Sequence, residues 1–129
     1  MISIQLYSLR EELEKDARGT LTALKEMGFD GVEPYGGKDL YGFSTEEFVG
    51  FMNELGLQIP SAHISYETLM EDTDGTLSFH RDLGCKYLAI PYLAPEKLPG
   101  GEAHDGIMAN IQMLCERALE YGIQLCFQS

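Results

Sequence analysis

The sequence predicts an α/β fold in which helices cover a parallel sheet, and three observations support it. Glycines end helix-like segments and are followed at once by strand-like segments, at Gly28, Gly56, Gly84 and Gly122. Glycine ends a helix in the left-handed conformation without a Cβ penalty. The first three lie 28 residues apart, which indicates a repeating helix–cap–strand unit. Strand interiors such as residues 87–90 are nearly all apolar, as is typical of parallel strands buried on both faces.

The first half of the chain alternates strand and helix. Residues 2–7 are an apolar opening strand, and residues 11–27 carry apolar side chains at helical spacing. Residues 31–35 form the second predicted strand, which ends in a Gly-Gly pair. The second helix starts at Ser44 and runs to Leu55, with Glu47 three residues after the serine in a capping-box pattern.

The second half repeats the alternation with weaker boundaries. The third strand, residues 58–64, contains Pro60, which removes one backbone donor from a central strand. The third helix is predicted at residues 66–83, and a turn-like sequence at residues 72–75 divides it into two pieces. The last three elements are a strand at 86–92, a helix at 103–121 after a loop rich in proline and glycine, and a strand at 123–127.

Composition excludes several classes of function. A chain of 129 residues with a net charge of −12 lacks the basic surface that nucleic acid or an anionic membrane requires. The chain has neither an apolar run of about 20 residues nor a signal-peptide pattern, so we expect a cytoplasmic protein. Three cysteines without metal-type spacing predict small buried side chains in a reducing compartment, and His80 is expected on the surface.

Four segments carry a resemblance to a known family. They are residues 5–10 (Gln-Leu-Tyr-Ser-Leu-Arg), 28–33 (Gly-Phe-Asp-Gly-Val-Glu), 61–63 (Ser-Ala-His) and 83–87 (Leu-Gly-Cys-Lys-Tyr), the last followed by Pro91 and Tyr92. In order and spacing the chain resembles the sugar phosphate isomerase/epimerase family, whose fold is the xylose isomerase-like TIM barrel. The resemblance covers essentially the whole chain.

The resemblance implies a partial (β/α)8 TIM barrel. Eight units take about 250 residues, so residues 1–129 are expected to form a single half-barrel domain. This domain would contain about (βα)4 plus a fifth strand, and it would be truncated within that strand. It also implies metal-dependent isomerisation or epimerisation of a sugar or polyol. The family's divalent metal (Mn, Mg, Zn or Co) is held mainly by side chains from the fifth strand onward. We therefore expect no bound metal and little catalysis from this chain alone.

Active sites of such barrels lie at the carboxyl ends of the strands. Glu33 and His63 are the predicted catalytic residues there, since a carboxylate moves protons and an imidazole shuttles a proton or orients a hydroxyl. The alternatives are a glutamate and a histidine that only satisfy hydrogen bonds of the structure. The predicted substrate-binding residues are Gln5, through a hydrogen bond, and Tyr7 and Tyr92, whose rings alternatively only pack.

A second hypothesis assigns the chain no catalytic role. Half a barrel has two open sheet edges and an exposed inner layer of side chains, and such edges pair readily with another chain. We therefore predict a homodimer, with exchange of the fifth strand as one form of it. In this hypothesis the half-barrel is structural or binds a small sugar weakly.

Overall fold

A computed structural model describes residues 1–91 and 103–127 of the chain. Within these residues, strands and helices alternate along the chain. The strands are β1 (Ser3–Gln5), β2 (Gly31–Glu33), β3 (Ser61–His63), β4 (Tyr87–Ile90) and β5 (Gln124–Phe127). The helices are α1 (Arg10–Lys15), α2 (Ala17–Glu26), α3 (Thr45–Leu55), α4 (Tyr66–Glu71), α5 (Thr73–Leu83) and α6 (Ala103–Glu120), and a 3-10 turn spans Leu6–Leu9.

All paired strands run parallel, and their spatial order follows the chain. β1 pairs with β2, while β3, β4 and β5 form a three-stranded sheet with β4 in the centre. Between β2 and β3 the ladder is interrupted at Pro60, which has no N–H to donate. Three hydrogen bonds join the two segments across this gap: Gln58 N–H donates to Asp30 O (2.8 Å), Val32 N–H donates to Gln58 O (2.8 Å) and His63 N–H donates to Pro34 O (3.0 Å). The predicted parallel α/β fold is confirmed.

The strands are shorter than predicted. β1 ends at Gln5, so Tyr7 lies in the 3-10 turn and not in the strand. β2 ends at Glu33 and leaves Tyr35 outside it, and β3 is confined to Ser61–His63. β4 and β5 also begin one residue later than predicted. Apolar patterning reports burial, whereas a strand ends where its ladder hydrogen bonds end, and the two limits differ here.

The long first helix predicted at residues 11–27 is wrong, because the chain forms two helices that meet at Asp16. Asp16 adopts an extended conformation (φ −159°, ψ 87°), and its carboxylate accepts a hydrogen bond from Gly19 N–H at 2.9 Å. A Cβ at position 19 would collide with that carboxylate, which explains the glycine. The same arrangement recurs at Asp72 and Gly75 (3.1 Å) and confirms the predicted division of the third helix.

The ends of the helices follow the local sequence. Ser44 Oγ accepts from Glu47 N–H, and the Glu47 carboxylate accepts from Ser44 N–H, each at 3.1 Å, so the predicted capping box is confirmed. Gly56 and Gly84 cap α3 and α5 with φ of 75° and 90°. These caps turn the chain directly into the next strand.

The core lies between the sheet and the helices. Its largest fully buried side chains include Phe48 and Met52 of α3, Leu21 of α2 and Leu88 of β4. Across the outer helices, Arg117 donates twice to the Asp74 carboxylate (3.0 and 2.6 Å) and ties α6 to α5.

Two surface expectations are corrected. His80 is buried, since its ring packs edge-on against Phe79 and its Nδ1 lies 2.8 Å from Thr76 O. Of the three cysteines only Cys85 is buried, while Cys115 is half-buried and Cys126 is exposed on β5. The exposed cysteine lies on β5, which among the described residues pairs on one side only, with β4.

Candidate functional site

Successive strands end around one cavity of about 220 Å³, which we call the mouth cavity. It lies at the carboxyl ends of β1 to β4 and is lined by Gln5, Tyr7, Glu33, Tyr35, His63 and Pro91. The structure therefore brings together four of the five residues predicted from the sequence. Tyr92, the fifth, lies outside the described residues.

Glu33 is oriented by the neighbouring strand. It is the last residue of β2 and is half-buried, and Ser61 Oγ at the start of β3 donates to its Oε1 at 2.9 Å. In the β1–β2 register Gln5 lies opposite Glu33, so an amide and a carboxylate stand side by side at the edge of the cavity. The hydrogen bond holds the carboxylate in one orientation, and a general base needs such an orientation.

His63 also lines the mouth cavity. It ends β3, it is half-buried, and its side chain also lines an adjoining cavity of about 320 Å³ that reaches Ser65 and Thr68. The two cavities share Tyr7, Tyr35, His63 and Pro91 and therefore adjoin, and we refer to them together as the recess. The imidazole thus faces a space large enough for a small polar molecule.

Two aromatic rings, which we call the tyrosine wall, bound the recess. Tyr7 and Tyr35 pack edge-to-face with ring centroids 5.2 Å apart. Arg10 contacts both the backbone and the ring of Tyr7. Its Nη1 donates to Tyr7 O at 3.0 Å, and its guanidinium lies 4.4 Å from the centroid of the Tyr7 ring. Burial, and after it the nearby Glu14 carboxylate, raises the pKa of Tyr35 above its ordinary value, so the phenol stays neutral. Aromatic faces and neutral phenols suit the C–H faces and hydroxyls of a sugar.

Sequence analysis assigned no role to Tyr35, Arg10 or Tyr41. Tyr35 was predicted only as the last residue of the second strand. The one local signal for Arg10 is its position three residues after Tyr7, a spacing that places side chains on the same face of a helical turn. Tyr41 contacts Tyr35 from a separate turn, and no spacing rule predicts that contact.

The described residues do not make a complete metal site. Residues 1–91 and 103–127 contain no group of three or more His, Cys, Asp or Glu side chains placed to hold an ion. The mouth cavity offers two groups of the ligand type, Glu33 and His63. A catalytic zinc typically has three protein ligands, so the residues described here do not hold such an ion by themselves.

A second cavity lies at the other end of the sheet. This amino-end cavity, of about 460 Å³, opens before β3 and β4 and is lined mainly by apolar side chains such as Met52, Leu57, Pro60 and Leu83. Side chains at the amino end of a TIM barrel usually contribute to stability, whereas the catalytic residues lie at the carboxyl end. The groups suited to proton transfer lie in the mouth cavity.

Comparison with known proteins identifies structures with the same fold but no match among protein families or curated proteins. No protein-family model matches the chain, and no curated protein matches it. Solved structures do match. A sugar phosphate isomerase/epimerase from Parabacteroides distasonis superposes with a TM-score of 0.78 at 19% identity, over 98% of this chain and 50% of that one.

Two further solved structures agree. The IOLI protein with a bound zinc atom gives a TM-score of 0.73 at 14% identity, over 98% of this chain and 51% of that one. L-ribulose 3-epimerase gives 0.69 at 19% identity, over 96% and 48%. This chain has the fold of a partial TIM barrel. It spans about half the length of the solved structures it matches.

The comparison confirms the predicted resemblance at the level of the fold. Sequence identities below one fifth show a shared fold and do not show a shared function. In the part of the chain that the structure describes, no helix is both long and apolar enough to cross a membrane.

Proposed function

We propose that this chain forms the substrate-binding side of a sugar isomerase or epimerase site. The observation that carries the proposal is the mouth cavity, where Gln5, Tyr7, Glu33 and His63 converge from three successive strand ends. Carboxylate, imidazole, amide and aromatic ring are the groups that bind a polyhydroxylated ligand and move its protons. The fold is shared with proteins named as isomerases and epimerases.

Each side chain has a distinct part in this proposal. The Glu33 carboxylate, held by Ser61, takes the proton from a carbon next to a carbonyl and returns it on the same face to the neighbouring carbon, as isomerisation requires. Epimerisation needs, in addition, a second acid on the opposite face of the substrate. His63 orients or protonates the adjacent oxygen. The tyrosine wall packs against the C–H face of the sugar, while Gln5 accepts from and donates to its hydroxyls.

A divalent metal, when bound in the proposed site, polarises the substrate oxygens. Because the described residues do not make a ligand set, its remaining ligands would come from outside them. The metal is therefore part of the proposal only together with further ligands from outside the described part of the chain.

Solvent deuterium incorporation tests the proposal. The chain is incubated in D2O with a panel of aldoses and ketoses and with Mg, Mn, Co or Zn, and both sugar binding and deuterium in the sugar C–H are measured by NMR. We expect Glu33→Gln to keep the hydrogen bond from Ser61 yet lose deuterium incorporation by at least about tenfold, since an amide is no base. The matched control is Glu54→Gln, an exposed position on α3.

The outcomes separate binding from catalysis. Deuterium incorporation that depends on Glu33 supports the enzymatic proposal. Sugar binding without incorporation in any metal contradicts catalysis by this chain and favours the second candidate below. A wild-type chain that binds no sugar contradicts the enzymatic proposal, and the oligomeric state then tests the second candidate.

The second candidate is a non-catalytic half-barrel that associates with a copy of itself. It is favoured by exposed apolar side chains beside β1, on β5 and on α6: Ile2 beside β1 is 62% exposed, Phe127 of β5 is 37% exposed and Leu119 of α6 is 68% exposed. β1 and β5 are each paired on one side only among the described residues. Parallel pairing of β5 with β1 of a second copy would cover these side chains and both edges.

Sedimentation velocity over a wide range of concentration tests this candidate. We expect a wild-type dimer that Phe127→Asp dissociates, because a charge at the outer strand opposes burial. Met27→Asp, at an exposed position between α2 and β2, is the matched control and leaves the dimer intact. A folded wild-type monomer at all concentrations contradicts the candidate.

A further inference from the structure

A strained turn lies behind the tyrosine wall. Residues 40–43 reverse the chain, and Phe43 N–H donates to Leu40 O at 2.9 Å. Both central residues have positive φ, 55° at Tyr41 and 89° at Gly42. Among the described residues, Tyr41 is the only non-glycine residue with positive φ. Such turns favour glycine, asparagine or aspartate, and a bulky residue persists there only where its surroundings hold it in place.

The surroundings of Tyr41 hold it at both ends of its side chain. Its ring packs against fully buried Phe48, with centroids 6.1 Å apart. Its hydroxyl accepts from Tyr35 N–H at 3.1 Å and donates to Tyr35 O at 3.3 Å. Burial raises the pKa of the Tyr41 phenol well above its ordinary value, so the donor remains protonated throughout the neutral range.

Tyr35 depends on this contact because β2 has already ended. The strand stops at Glu33, and the backbone N–H and C=O of Tyr35 both pair with the Tyr41 hydroxyl and not with a neighbouring strand. The Tyr35 ring lies between those of Tyr41 (5.4 Å) and Tyr7 (5.2 Å). A continuous series of ring contacts thus runs from the core at Phe48 to the tyrosine wall.

We propose that Tyr41 is a positioning residue of the sugar site, whose hydroxyl fixes the backbone of Tyr35 and thereby sets the ring that faces the substrate. The strained conformation of Tyr41 is retained because it places that hydroxyl between two backbone groups of Tyr35. This inference rests on the proposed function for the identity of the ligand. The placement of Tyr35 by Tyr41 stands independently of it.

Comparison of Tyr41→Phe with Tyr121→Phe tests the inference in the full chain. Tyr121 is a suitable control because its hydroxyl also donates a hydrogen bond, to Asp74 Oδ1 at 3.1 Å, and it is not among the residues that line the mouth cavity. Three properties are measured by NMR: hydrogen exchange of the Tyr35 amide, contacts between the Tyr7 and Tyr35 rings, and affinity for D-fructose as the ketose probe. The melting temperature of each variant is measured as well.

We expect Tyr41→Phe to speed exchange of the Tyr35 amide, to weaken the ring contacts and to lower D-fructose affinity by about tenfold, since a misplaced binding group is costly. Tyr121→Phe should change none of the three. Unchanged ring contacts and exchange in Tyr41→Phe overturn the inference. Equal losses of melting temperature and affinity in both variants also overturn it, because they indicate a general effect on stability.

Gly42→Ala provides a second variant if Tyr41→Phe does not fold. A Cβ at position 42 meets no atom within 4 Å, but it strains the turn at φ 89° while keeping the Tyr41 hydroxyl. We expect the same changes at Tyr35 with smaller amplitude, and their absence contradicts the inference. If wild-type protein binds no D-fructose and no other sugar of the panel, the proposed function fails, while amide exchange and ring contacts still decide the placement of Tyr35.

Discussion

The two ends of the sheet differ in what their cavities are made of. The amino-end cavity is the larger, about 460 Å³ against about 220 Å³, yet its walls are mainly apolar side chains that come from helix ends and strand starts. The mouth cavity is smaller and carries a carboxylate, an imidazole, an amide and two phenols. Volume alone would favour the amino-end cavity, whereas the groups suited to proton transfer lie in the mouth cavity.

The difference follows from the direction of the strands. In a parallel sheet every strand delivers its last residue to the same edge, so polar side chains at strand ends meet there although they are far apart in sequence. Glu33 ends β2 and His63 ends β3, and both line the mouth cavity although a helix separates them along the chain. At the amino end, the chain arrives from helices whose apolar faces serve the core.

Met52→Ala gives the largest expected effect and concerns the amino end. Met52 is 1% exposed, so the variant should lower the free energy of unfolding by about 2–5 kcal/mol, from lost burial and the cavity left behind. Urea denaturation measures the change, and Met27→Ala, at a residue 72% exposed, is the control. Affinity for sugar should persist below the unfolding transition. A large loss of affinity in folded Met52→Ala would mean that the two ends are not independent.

Ser61→Ala gives an intermediate effect and concerns the mouth. Removing the hydroxyl that donates to Glu33 should cost about 0.5–1.5 kcal/mol of stability and lower sugar affinity or deuterium incorporation several-fold, because the carboxylate loses its fixed orientation. Ser78→Ala removes a comparable hydroxyl, which donates to Gly75 O, and should leave the site unaffected. Equal behaviour of the two variants would show that Glu33 needs no fixed orientation.

A pH titration of stability gives the smallest effect and concerns His80, on the helix that reaches the amino-end cavity at Leu83. Burial lowers the pKa of His80 below its ordinary value of 6.5. The unfolded chain therefore binds more protons than the folded chain, and the stability contribution is lost as pH falls from about 6.5 toward the folded pKa.

The slope of unfolding free energy against pH in that window checks this prediction. His80→Gln should flatten the slope by less than one proton, whatever its effect on absolute stability. His63→Gln is the comparison at the mouth and should leave the contribution of His80 in place. A slope unchanged in His80→Gln would refute the assignment of the acid-sensitive term to this buried imidazole.

Local signals in the sequence predicted local features well. The Ser44–Glu47 capping box and the glycine caps at Gly56 and Gly84 depend on a few adjacent residues, and they are confirmed. The break at Asp16 was missed although the same Asp-x-x-Gly spacing at Asp72 was taken as a turn. In both, one carboxylate caps the next helix, so the signal was present twice.

Features that depend on distant residues were not predictable in the same way. The burial of His80 was missed because helical position does not say which neighbours cover a side chain. Tyr35 leaves the strand early because its backbone bonds to Tyr41, and only the folded turn at residues 40–43 brings the two together. The limits of the other strands likewise depend on ladder hydrogen bonds to strands that are remote in the sequence.

By itself, the sequence determined the alternation of strand and helix, the positions of the helix caps and the residue types at the strand ends, since these follow from short-range conformational preference. Tertiary structure alone decided which of those residues share a cavity, which hydroxyl orients Glu33 and what holds the tyrosine wall. Such contacts join strands and turns that are remote along the chain, and they form only when burial of the core brings those segments together.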